Sequence, residues 1–219
     1  MRMRRKAQQD VTAAEAVAPE PQVEGPRAHG PWDESEVTLD EGDPTRADLG
    51  ALSLKGEADV EVRLQADEKT GRVTAVMLVG ADGAMELRPF AAPRNEDLWA
   101  DVRRQMAAEA TRRGGTATDV DGPFGTALKL LVTGTGPDGK TVQQPSTVLG
   151  ISGPRWLLRV SMFGRPAQEY RPDAPLETAL RNVVVKRGSD PMPPGEALPL
   201  VLPAKAQRVE TRRPPQSAE

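Results

Sequence analysis

The string Ser152-Gly153-Pro154-Arg155-Trp156-Leu157-Leu158-Arg159 is the most distinctive in the chain, and the chemistry it could perform is that of an anion clamp. On a strand, successive side chains alternate between faces, which puts Arg155, Leu157 and Arg159 on one side and Trp156 and Leu158 on the other. Guanidinium groups on one face could hold a phosphate or carboxylate through paired N–H donors. The same arginines could equally pair with Asp119, Asp121 or Glu177 and stabilise the sheet face. Lys186-Arg187-Gly188 would extend a basic site if it neighbours Arg155; by itself it reads as a charged strand end.

Gly30-Pro31-Trp32-Asp33-Glu34-Ser35-Glu36-Val37 sets a tryptophan among acids, a costly side chain to leave in water. Trp32 is either part of a short docking motif for a partner protein or an anchor that folds back onto its own domain. Asp121-Gly122-Pro123-Phe124-Gly125 has the glycine content of an anion cradle. It lacks the GxxxxGK pattern followed by Ser or Thr, and it is no GxGxxG between strand and helix, so it reads as a turn with Phe124 packed.

Other chemistries have no material. With no cysteine there is no thiol nucleophile, disulfide framework or thiolate metal site. The single histidine, His29, lies in a stretch poor in apolar residues, which disfavours imidazole catalysis and multi-histidine metal sites. Carboxylates are plentiful, but no spacing singles out an acid–base pair or a metal ligand set. No catalytic residue, metal ligand or cofactor is therefore assigned.

The elements that must position these residues follow from patterning. Hydrophobic residues make up 37% of the 219, and only seven are aromatic (three Trp, three Phe, one Tyr), so the core must be aliphatic. No run of roughly 18 apolar residues occurs, and Met1-Arg2-Met3-Arg4-Arg5-Lys6 is followed by no apolar stretch; a cytoplasmic location is the expectation. The net charge of −3 divides unevenly. Residues 1–48 carry 6 basic and 11 acidic side chains, residues 49–203 carry 19 of each, and residues 204–219 carry 4 and 2. A neutral folded part argues against binding dominated by a nucleic-acid backbone. The expected organisation is a disordered acidic, Pro- and Ala-rich tail over 1–48, one α+β domain over 49–203, and a disordered tail over 204–219.

Within that domain, Val60–Leu64, Val73–Val79 and Met85–Phe90 read as three antiparallel strands, with Asp82-Gly83 in the second turn. A helix follows, capped by Asn95, with Leu98, Trp99, Val102, Met106 and Ala110 on its apolar face and Gly114-Gly115 at its end. Arg103, Arg104, Arg112 and Arg113 lie largely off that stripe and read as a solvated face. Ala127–Thr133, Ser146–Ile151 and Arg155–Phe163 read as further strands, with a hairpin loop over residues 134–140. Asp173 can cap a second helix with Pro175 in its first turn. Val183-Val184-Val185 leaves it as an extended segment, and the leucines of Leu198–Leu202 clamp the domain surface. The junctions Val79–Gly83 before Leu87-Arg88 and Leu149–Gly153 before Leu158-Arg159 are alike, which suggests a duplicated β-β-β-α unit.

In order along the chain stand Gly30-Pro31-Trp32-Asp33, Asp48-Leu49-Gly50, Phe90-Ala91-Ala92-Pro93, Gly114-Gly115, Asp121-Gly122-Pro123-Phe124-Gly125, Gly153-Pro154-Arg155-Trp156-Leu157-Leu158-Arg159, Val184-Val185-Lys186-Arg187-Gly188 and Met192-Pro193-Pro194. Together these strings resemble an uncharacterised domain-of-unknown-function family of high-GC Gram-positive bacteria, over roughly residues 30–203. The resemblance implies that the Trp32 motif belongs to the module; it supplies no activity, cofactor or catalytic residue. The function expected is a non-enzymatic protein-interaction module using the sheet–helix groove or the Trp32 segment. The alternative is a small-anion or nucleotide-binding protein using Arg155 and Arg159, with Lys186 and Arg187 as further candidates and Trp156 beside them.

Overall fold

Val76 and Leu78 on one strand and Met85, Leu87 and Ala91 on the next point to the same side and are essentially buried, as the two-residue period of a strand places them. The computed structural model describes residues 25–203 apart from Glu41, Asn95 and residues 136–140. In chain order the elements are β1 (Trp32–Asp33), β2 (Arg46–Asp48), β3 (Leu52–Lys55), β4 (Glu61–Ala66), β5 (Val73–Val79), β6 (Gly83–Ala91), α1 (Leu98–Arg112), β7 (Thr116–Gly122), β8 (Gly125–Thr135), β9 (Thr141–Gly153), β10 (Trp156–Gly164), α2 (Arg165–Gln168), α3 (Pro175–Arg181) and β11 (Val184–Val185).

The larger sheet has seven strands in the order β4-β5-β6-β10-β9-β8-β7, every neighbouring pair antiparallel. It is two meanders, β4–β6 and β7–β10, joined where β6 meets β10. The two Leu-Arg strings lie in those two central strands, with Arg88 opposite Arg159. A second sheet, β1-β11-β3-β2, is built from short strands far apart in sequence. The fold is thus α+β, a multi-stranded antiparallel sheet with helices against it.

Two cores fill the space on either side of the large sheet. On one, Leu87, Leu149, Ile151, Trp156, Leu158 and Val160 meet α2, α3 and the inward residues of the small sheet. On the other, Leu128, Leu130, Val148 and Leu157 meet Trp99 and Ala110 of α1, with Val102 and Met106 packed alongside. Each fully buried Leu of this kind is worth about 1.5–3 kcal/mol relative to exposure.

Several expectations change. The ordered domain begins well before residue 49, because β1 pairs parallel with β11 and β2 pairs with β3. Partners more than a hundred residues away supply the apolar surface that the segment itself lacks. Thr116–Gly122 is a strand, so Asp121, Gly122 and Gly125 are strand residues and Pro123-Phe124 is the tip of the hairpin into β8. Asp97 caps α1, accepting from the backbone N–H groups of Trp99 and Ala100; Asn95 lies outside the described residues. Asp173 does not cap α3, whose N-cap is Ala174 with Pro175 in the first turn. Leu198 and Leu200 are buried against the sheet, as a clamp requires, whereas Leu202 is exposed. Residues 1–24 of the tail expected over 1–48, the tail expected over 204–219, and residues 136–140 of the expected loop fall outside the described residues.

Candidate functional site

Three of the distinctive strings converge at the β9–β10 turn. Asp33 Oδ2 accepts a 2.7 Å hydrogen bond from the Trp156 indole N–H, and its Oδ1 accepts from the Ser35 backbone N–H at 3.0 Å and the Ser35 hydroxyl at 2.5 Å. Asp33 is 5% exposed and Trp156 is 0% exposed, so both polar groups depend on these partners. Arg27 lies over the Trp156 ring at 5.2 Å from its centroid and grips Glu36 through two bonds of 2.9 and 2.8 Å. Glu36 in turn accepts from the Asp33 backbone N–H at 2.6 Å. The Trp156 ring lies flat over Gly153, where a Cβ would come within 2.1 Å of it. Glu34 Oε1 accepts from the Gly188 backbone N–H at 3.3 Å, bringing the Val184–Gly188 string to the same place.

Beside this junction runs a groove made of two adjoining hollows. The larger, about 450 Å³, lies between Arg27, Trp99, Arg103, Phe124 and the Gly150–Ser152 stretch of β9. The smaller, about 270 Å³, continues between Pro93, Arg94, Leu98, Gly153 and Trp156. Asp97 and Ser152 border both. Trp99 is seated because β9 carries glycine at position 150, where a Cβ would fall 2.1 Å from the ring, and because its indole N–H donates to the Thr126 carbonyl at 2.7 Å. Phe124 packs edge-on against Tyr170 at 6.1 Å between centroids, so the tip of the β7–β8 hairpin is a packed wall of the groove.

The sequence-predicted residues do not form one site. Trp32 is half-buried in its own domain, its backbone N–H bonded to the Val183 carbonyl at 2.9 Å. Arg155 is not part of β10; it occupies the left-handed region at φ 59° in the turn after Pro154, which breaks the alternation expected of it. Its guanidinium is exposed and donates to the Gly188 carbonyl at 3.3 Å, towards the small sheet. Arg159 is on the opposite side of the large sheet, over the Phe90 ring at 5.3 Å. Two of the three acids expected to pair with them are engaged elsewhere: Asp119 with Arg103 at 3.2 Å, and Glu177 with Arg165. Lys186 bonds Asp48 at 2.8 Å, and Arg187 donates to the Asp190 carbonyl at 3.1 Å.

The remaining helix arginines are also paired, Arg104 with Asp101 and both Arg112 and Arg113 with Glu109. Glu177, 0% exposed, receives two bonds of 2.6 and 2.9 Å from Arg165, which also reaches Asp82 and so ties α2 and α3 to the β5–β6 turn. Arg165 is held well above the usual arginine value, first by the bond to Glu177. Burial pushes the Tyr170 phenol up. Among the described residues no group of three or more His, Asp or Glu side chains is placed to hold a metal ion, and no helix is long and apolar enough to cross a membrane.

Sequence reasoning missed Asp33 as the partner of Trp156, and it expected a sheet–helix groove without naming the residues that line it. Trp99 near the start of an amphipathic helix and Gly150 inside an apolar strand were the signals that could have placed it, since glycine within a strand marks a close approach.

The geometry defines an α+β domain in which an N-terminal segment is built into the sheet's end. The chain belongs to DUF3710, a family described as a protein of unknown function, whose model matches residues 30–209. No curated protein matches the sequence. Among solved structures, the solution structure of cyanobacterial PsbP (CyanoP) from Synechocystis sp. PCC 6803 is similar at 10% identity and a TM-score of 0.38, covering 68% of this chain and 98% of that one.

Proposed function

We propose that this chain is a protein-interaction module that takes an extended segment of a partner protein in the groove beside the β9–β10 turn. The observation carrying this reading is the groove's composition. Two hollows of about 450 and 270 Å³ meet at Asp97 and Ser152, with Trp99, Phe124 and Trp156 in their walls and charged groups at the rim. Trp99 and Trp156 are buried and shape the floor, and the partly exposed Pro93, Leu98 and Phe124 offer apolar surface inside a polar rim, the arrangement on which protein interfaces concentrate their binding energy.

The charge at the rim favours a peptide over a small anion. Arg27 already holds Glu36, and Arg103 already holds Asp119. An oxyanion entering the larger hollow would meet guanidinium groups whose charge is compensated. Trp32, seated in its own domain, serves the fold and leaves recognition to the groove.

The test is capture from native lysate with the full chain and with a Ser152→Trp variant, which fills the place where the hollows join. A protein held by the wild type and lost by the folded variant supports the reading. Capture that is absent, or equal for both, overturns it.

A further inference from the structure

β6 and β10 place Arg88 directly opposite Arg159, two like charges on neighbouring strands. Both side chains share the face of Phe90 and Leu157, the side on which α1 packs farther along over β7, β8 and β9. Like charges so placed repel one another. Only half of this is relieved: Glu86 accepts from Arg88 Nε at 2.8 Å, but Arg159 has no carboxylate partner among the described residues. Its Nε–H is buried with no acceptor. Burial and then the Arg88 charge hold Arg159 below the usual arginine value, against a smaller opposing pull from Glu86. The ring of Phe90 lies beneath the guanidinium at 5.3 Å and fixes its plane.

A guanidinium held in place, half-desolvated and short of an acceptor, is a donor set waiting for an anion. We propose that Arg88 and Arg159 together bind an oxyanion, a carboxylate or a phosphate group, through the terminal N–H groups of their guanidiniums. The group would neutralise the like-charge pair and exploit the planar fork that arginine presents to two oxygens. Arg155 takes no part, because its guanidinium is turned to Gly188 on the other side of the sheet. The site is separate from the groove and stands or falls independently of the partner reading.

The test is a titration of the full chain, at low and matched ionic strength, with inorganic phosphate in one arm and acetate in the other. The arginine Nε–H signals are followed by NMR. The Arg159 signal shifts saturably with at least one of the two anions, and the Arg88→Gln variant weakens that response at least tenfold. Arg159→Lys keeps the charge but loses the fork, and it abolishes the anion-dependent rise in thermal midpoint seen for the wild type. Saturation by phosphate alone marks a phosphate ligand, and saturation by acetate alone a carboxylate. A shift that stays linear with both anions, one unchanged in the folded Arg88→Gln variant, or an anion-dependent rise in thermal midpoint that persists in Arg159→Lys overturns the site.

Discussion

The indole N–H of Trp156 donates to Oδ2 of Asp33 at 2.7 Å, tying the start of β10 to a residue 123 positions earlier. Together with the pairing of β1 with β11, this bond holds the polar 25–37 segment on the domain. A buried indole and a buried carboxylate are each costly unless paired, and here each is the other's partner. Arg27 stacks on the same ring and holds Glu36, which closes the segment over it.

Removing the donor exposes the dependence. Trp156→Phe keeps most of the ring but leaves Asp33 with only its bonds from Ser35. A loss of about 1.5–3 kcal/mol is expected, the range for hydrogen bonds to charged groups. Asp33→Asn keeps an acceptor and loses less. Urea unfolding monitored by circular dichroism measures both, and limited trypsin digestion at Arg27 reports release of the segment.

Gly150 has a second, steric role. A Cβ there would stand 2.1 Å from Trp99 Cδ2, on a strand paired on both sides and unable to withdraw. Gly150→Ala is expected to cost about 1–3 kcal/mol through overpacking and to displace Trp99 from the groove wall. Denaturant midpoints measure the first effect, and the tryptophan emission maximum measures the second.

Acid sensitivity follows from Asp82. The bond from Arg165 holds its carboxyl below the ordinary value of 3.8. A depressed folded value means that the contribution is complete above the unfolded value and disappears as pH falls through the folded one. Thermal midpoints of the wild type should therefore fall more steeply than those of Asp82→Asn below about pH 4. Half-exposed as Asp82 is, salt should shrink the difference.

Local pattern was enough where an element's own residues supply its apolar face. The apolar run from Val73 to Val79, the strand Met85 to Phe90 after Asp82-Gly83 and the Leu98–Ala110 stripe yield β5, β6 and α1 without reference to anything distant. It was insufficient where partners supply the surface. β1 is two residues long and exists because β11 lies alongside; β7 carries little beyond Ala117 and Val120 to bury, so Thr116–Gly122 resembles a loop until β8 pairs with it. The arginine face failed for a sharper reason. Alternation presumes an extended backbone at every position, and Arg155 sits at φ 59°. Pro154 before it was the available sign of a turn reaching one residue farther.

The groove is tested most directly by site-specific photo-crosslinking of the full chain in native lysate. A photoreactive residue is placed at Ser152, where the two hollows join, and in a control at Thr118, exposed on β7 at the far edge of the sheet. The expected result is a discrete protein adduct from position 152, absent from position 118, whose crosslinked peptide maps to one segment of one partner. No adduct from 152, or the same adducts from both positions, would contradict a partner seated in the groove.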